Sequence, residues 1–239
     1  MKNSASAETF ESLLAGAVRE DPGRPLVTFY DDATGERVEL SVVTYANWVS
    51  KTVNLVADEF DLARGDQVVL DLPTHWLGAV WLGAVLTLGL RVINDPNAAD
   101  LIVCGPERLQ SPGTLPAGIP VLALSLRPLG ARFATELPAG VTDYGAVVLG
   151  QPDAHFVSDP PGPADPTFVV TGETQQELLA ACADLGTTGR ILTELNPVTR
   201  QGAATLLGPL QNETGCVWVI NPAPDSWERR GAQEHATTL

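Results

Sequence analysis

The sequence predicts an α/β protein with parallel sheet, arranged as two lobes. Three observations lead there. Short apolar runs at 67–72, 100–104 and 120–124 alternate with helical stretches, the pattern that parallel βα units produce. A proline-rich segment at 158–166 (Pro160, Pro161, Pro163, Pro166) separates two such regions. A passage of the first region also recurs, with the same spacing, in the second.

Taken in order, residues 5–20 put Phe10, Leu13, Leu14 and Ala17 on one face, which predicts an amphipathic helix ended by Pro22-Gly23. Residues 26–30 and 37–40 read as a hairpin, with Gly35 at the turn position that needs positive φ. Ser41 caps a long helix to about residue 60, carrying Val42, Tyr45, Val49, Val53 and Val56 at helical spacing. Residues 67–72 form a strand covered on both faces apart from Asp71, residues 76–88 a small-residue helix, and 91–93 the next strand. Strands follow at 100–104 and 120–124, and one short element near 146–149. In the second region 167–170 reads as a strand. Thr174 and Glu177 make a capping box for a helix at 175–185. A strand at 190–195, a helix at 198–210 and a strand at 216–220 complete it. The domain expectation is a first lobe over 1–157, a linker at 158–166, a smaller lobe over 167–222, and a polar, frayed tail at 223–239 with Trp227 as its one anchor.

The repeat sets Gly65 on Gly189, Pro73 on Pro197, Gly78 on Gly202, Ala79 on Ala203 and Leu82 on Leu206 without a gap. Gly89 then meets Gly215, and Val92-Ile93-Asn94 meets Val219-Ile220-Asn221. Two unrelated βα units also share Gly turns and small helical residues, so chance remains the competing explanation.

The chain has 14 Lys plus Arg against 29 Asp plus Glu, a formal charge of −15, which disfavours nucleic acid and anionic membranes as partners. Cys104, Cys182 and Cys216 have neither disulfide nor metal spacing, and the three histidines show no local ligand pattern. The N-terminus shows no signal peptide, and the apolar run at 76–90 is too short to span a bilayer. These features predict a cytoplasmic protein.

Within 41–96, Thr44-Tyr45, Gly65-Asp66-Gln67-Val68, Leu72-Pro73 and the Gly89 turn resemble the opening of adenylate-forming enzymes, the AMP-binding superfamily of acyl-CoA synthetases. Glu39-Leu40-Ser41, Asn47-Trp48-Val49, Lys51-Thr52 and His75-Trp76 are similar, more closely, to a family of short bacterial proteins related to the N-terminal region of that superfamily. The resemblance covers 20–96 well and the rest thinly. It implies two flavodoxin-like βα lobes, like a truncated N-terminal domain of those enzymes, without their small C-terminal lobe and its catalytic lysine.

That superfamily holds ATP phosphates in a Ser/Thr/Gly-rich loop followed by Pro-Lys-Gly. Here Gly186-Thr187-Thr188-Gly189 matches the glycine core, but Ile191-Leu192 replace Pro-Lys, and the run reads as an ordinary turn. Thr171-Gly172-Glu173-Thr174 follows a predicted strand and precedes a helix, the topologically fitting place. It has no lysine, and Glu173 would repel a triphosphate. The expectation is a pseudoenzyme: no catalytic residues, no metal, and no cofactor, since the motifs support neither ATP nor AMP. It would act as a small-molecule-binding or protein-interaction module. The alternatives are an enzyme of unknown specificity, adenylate-forming-like with ATP or AMP or using the interlobe crevice, or a subunit completing a partner's active site. Partners left open are a small molecule, another protein or a second copy of the chain. Ligand-binding candidates are His75 and Asp95 near strand ends, with Thr171, Gly172 and Thr174 in the loop; Asp95 and Asp100 are the acids expected near His75.

Overall fold

The computed structural model describes residues 8–110, 115–224 and 226–239. Helix α1 (Phe10–Glu20) leads into a hairpin of β1 (Pro25–Asp31) and β2 (Glu36–Ser41), followed by α2 (Val42–Phe60). Then come β3 (Gln67–Asp71), α3 (Trp76–Leu88), β4 (Arg91–Val92), β5 (Leu101–Cys104), α4 (Pro106–Leu109), β6 (Val121–Ala123), β7 (Val141–Asp143) and α5 (Tyr144–Val147). The chain continues through α6 (Gln175–Cys182), β8 (Arg190–Thr193), α7 (Arg200–Gln211), β9 (Cys216–Ile220), α8 (Ser226–Glu234) and β10 (Ala236–Thr238). Residues 5–7 of the predicted first helix lie outside the described residues.

Local chemistry explains the element ends. Thr9 caps α1 in a capping box with Ser12, and Ser41 Oγ accepts the Thr44 amide at the head of α2. Gly89 stops α3 at φ 70°, in the left-handed region where only glycine is unstrained. Among the described residues no helix is long and apolar enough to cross a membrane.

Two five-stranded sheets result. One runs β4-β3-β5-β6-β7, all parallel. Numbered within itself, that is the flavodoxin order 2-1-3-4-5. The other runs β10-β8-β9-β1-β2, parallel except for the β1–β2 hairpin. Alternation of side chains shows what lies between them. From β5, Leu101 and Val103 enter the main core while Ile102 and Cys104 join a separate outer cluster. From β9, Cys216 and Trp218 enter the main core while Val217 and Val219 face a second outer cluster with Tyr30. Each sheet therefore turns one face to a shared helical layer and the other outward. Helix α3 is the centre of that layer. All 13 of its residues are buried, as expected for a helix apolar all round. At Gly83 a Cβ would lie 2.4 Å from the Tyr45 hydroxyl and 2.7 Å from Val49, so a hydrogen there lets α2 and α3 approach closely.

Three expectations need correction. The sheets do not divide at 158–166: β1 and β2 complete the sheet made by β8, β9 and β10, with Val27 paired to Cys216. Local patterning carries no information on so distant a pairing. Residues 167–170 make one bridge, Phe168 to Val92, on the outer edge of β4 instead of a full strand. The tail is ordered: α8 packs Trp227 on the outer face, and β10 pairs with β8. Its polarity misleads because its partners are charged. Glu234, 6% exposed, accepts from the Tyr30 hydroxyl and from Arg37 and Arg190, while Arg230 sits 3.6 Å over the Tyr30 ring and pairs with Asp32 at 2.6 Å. Strand β7 also went unforeseen.

A crevice where the two repeats meet

The two copies of the repeat are β3–α3–β4 in one sheet and β8–α7–β9 in the other. Gly78 and Gly202 are each the third residue of their helix. Each lies against the strand-to-helix elbow 196–198: a Cβ on Gly78 would meet Val198 at 3.1 Å, and one on Gly202 would overlap the Asn196 carbonyl at 1.8 Å. The elbows are tied by hydrogen bonds. Asn196 Nδ2 donates to the Leu72 carbonyl at 2.7 Å, and Thr74 Oγ1 donates to the Glu194 carbonyl at 3.0 Å.

Beside this junction, at the carboxyl ends of β3 and β4, lies a cavity of about 610 Å³. Its walls are apolar, from Val69, Leu70, Val92, Ile93, Phe168 and Val198. Its polar groups are Asp71, Asn94, Arg108, Asn196, Thr199 and Arg200. A cleft of mixed apolar and polar lining at the carboxyl edge of an open sheet is a common setting of a small-molecule site. Two ion pairs flank it. Arg108 lies 3.4 Å from Asp71, and Arg200 donates through Nε to Glu173, whose Oε2 also accepts from the Thr171 hydroxyl at 2.8 Å. Among the described residues no cluster of three or more His, Cys, Asp or Glu could hold a metal.

The candidates from the sequence fall around this crevice, and none of them is in its wall. His75 is the N-cap of α3, 3% exposed, and packs on Phe29 with ring centroids 4.7 Å apart. Its Nδ1 accepts the Leu77 amide at 3.2 Å, which puts the proton of the neutral ring on Nε2, a buried atom with no hydrogen-bond partner. Burial holds its pKa down at about 3, only partly offset by Asp31. The neighbouring acid is thus Asp31, and the expected pair lies elsewhere: Asp95 accepts from the Asn97 amide at 2.9 Å, and Asp100 from the Gln67 amide at 2.8 Å. Thr171 and Gly172 (φ 67°) form the turn after Phe168, and Thr174 caps α6 with Glu177 as foreseen. The residues at 186–189 are the ordinary turn that their chemistry predicts, closed by Gly189 N–H to the Gly186 carbonyl. Sequence reasoning missed Arg108, Asn196 and Arg200 as crevice residues. Asp71, breaking an otherwise apolar strand at its carboxyl end, was the one available signal.

No family model matches the chain. A protein of Mycobacterium tuberculosis (strain ATCC 25618 / H37Rv), described as a TIGR03089 family protein, is 37% identical over 248 residues, covering 97% of this chain and 99% of that one. The acyl-CoA synthetase of Brucella canis superposes with a TM-score of 0.74 at 14% identity, over 94% of this chain and 46% of its own. The acetoacetyl-CoA synthetase of Streptomyces lividans superposes with a TM-score of 0.77 at 17% identity, over 96% of this chain and 42% of its own. The chain therefore has the acyl-CoA synthetase-like α/β fold and spans less than half of each of those two synthetases.

Proposed function

The chain belongs to the TIGR03089 family, and from that premise we propose that it is a non-catalytic, small-molecule-binding relative of the acyl-CoA synthetase fold, with the crevice beside β3 and β4 as its site. One observation carries the reading. The loop that follows Phe168 carries a carboxylate, Glu173, that pairs with Arg200 of the crevice wall. A nucleotide triphosphate needs backbone N–H groups and a cation at such a loop. A carboxylate already bound to the nearby arginine opposes that charge. His75 adds no catalytic group, since a neutral, buried ring that caps a helix has no access to a substrate.

The test is calorimetry and thermal denaturation with Mg-ATP, AMP and acyl-adenylate mimics, with a parallel assay for pyrophosphate release from Mg-ATP and a panel of acids. No Mg-ATP stabilisation and no pyrophosphate release are expected. A clear Mg-ATP shift accompanied by pyrophosphate release would overturn the non-catalytic reading.

A further inference from the structure

The charges at the crevice are answered by the chain itself. Asp71 faces Arg108 at 3.4 Å, and Glu173 accepts from Arg200, so the cations and the carboxylates beside the site have partners of opposite sign. The neutral groups are engaged as well. Asn196 donates through Nδ2 to the Leu72 carbonyl, and its Oδ1 accepts the Val198 amide at 3.2 Å. The Thr199 hydroxyl donates to the Asn196 carbonyl at 2.8 Å and accepts the Gly202 amide at 3.0 Å. Among the described residues, the polar side chain of the lining that meets no protein group is Asn94, which is exposed.

The repeat sharpens that difference. Asn94 and Asn221 hold equivalent positions, each just past the second strand of its copy. The Asn221 amide is taken up within the chain, Nδ2 donating to Asp31 at 2.9 Å. The same group is therefore closed off in one copy and left open at the cavity in the other. An asparagine amide offers a donor and an acceptor together and carries no charge.

An ion entering this crevice would give up water and meet no unengaged counter-charge. Displacing one member of an existing pair would only leave the other uncompensated. The formal charge of −15 attracts cations to the molecule as a whole, but Asp71 and Glu173 are already held by arginines. A neutral ligand meets neither obstacle. Its apolar part would cover rim side chains such as Val170, which is 71% exposed.

We propose that the crevice takes an uncharged ligand, with an apolar body and one neutral hydrogen-bonding group that the Asn94 amide recognises. This rests on the crevice being a ligand site and adds the class of ligand.

Three ligands of one shape and different charge test it: hexanamide, hexanoate and hexylammonium. Each is titrated into the intact protein at pH 7 and matched ionic strength, and followed by NMR at the Val92 and Val198 methyls and the Asn94 side-chain amide. Hexanamide is expected to move all three and to bind at least about tenfold more tightly than either ion. Asn94→Ala, at an exposed position, should leave the thermal midpoint unchanged and weaken hexanamide about fivefold, the scale of one hydrogen bond. If either ion shifts the methyls and binds as tightly as hexanamide, the uncharged-ligand inference is overturned and the crevice stands as a site. Hexanamide binding that Asn94→Ala leaves unchanged overturns the recognition by Asn94. If none of the three ligands moves the methyls, the inference and the site both fail.

Discussion

Replacing His75 by asparagine isolates a pH effect that the fold builds into its core. The folded ring stays neutral down to a pKa of about 3, against an ordinary value of 6.5 in the unfolded chain. The sign follows from proton uptake. Below pH 6.5 the unfolded state binds a proton that the folded state refuses, so stability falls as pH falls, throughout the window from 6.5 to about 3. Between pH 7 and pH 5 the integrated loss is about 2 kcal/mol. Asparagine keeps an acceptor for the Leu77 amide and cannot titrate. It also gives up packing on Phe29, which lowers stability by a pH-independent amount. Urea denaturation of both proteins at pH 7, 6 and 5 reads the difference. The stability gap between them should narrow by about 2 kcal/mol from pH 7 to pH 5. Parallel curves, with a constant gap, would refute the claim that His75 is held neutral by burial.

The outer face of the mixed sheet should add a second acid-sensitive group. Burial pushes the Glu234 carboxyl up, but hydrogen bonds from Tyr30 and Arg190 outweigh it and leave the pKa below 4.5. Its stabilisation is thus present above 4.5 and lost as pH falls below it. Glu234→Gln should cost about 2 kcal/mol at pH 7 in chemical denaturation, less than a fully buried pair because Arg37 is half open to water, and should flatten the limb below 4.5. Gly83→Ala should cost about 2 kcal/mol or more by overpacking, with a drop in thermal midpoint and a retained far-ultraviolet spectrum, since Tyr45 and Val49 belong to a rigid helix pair.

Much of the fold was legible because its signals are local. Ser41, Gly35, Gly89 and the Thr174–Glu177 pair are caps and turns whose chemistry acts within a few residues, and each does what its type predicts. The repeat was legible for the same reason: its glycine and proline spacing is local, and Gly78 and Gly202 both let their helices close on the one elbow at 196–198. What escaped depends on partners far along the chain. Nothing near Leu26 says that β1 will run beside β9, and nothing in the polar run 223–239 says that Glu234 will find Tyr30 and Arg190. The crevice escaped in the same way. Glu173 was read from the sequence only as a charge opposed to phosphate, and nothing local pairs it with Arg200, 27 residues on. His75 misled because a histidine after a strand-end proline has the same appearance whether it faces a ligand or caps a helix.

The mixed sheet also dictates an order of assembly. Strands β3 to β7 are contiguous in the chain, so their sheet can form while later residues are still being synthesised. The β1–β2 hairpin emerges first, yet one of its neighbours, β9, is among the last strands made. Until then β1 presents an unpaired, apolar edge, with Leu26, Val27 and Phe29 uncovered on it. Contacts of such wide sequence separation close slowly. The interval before β9 arrives is therefore when a nascent chain of this architecture has most need of a chaperone, and the hairpin is where one would bind.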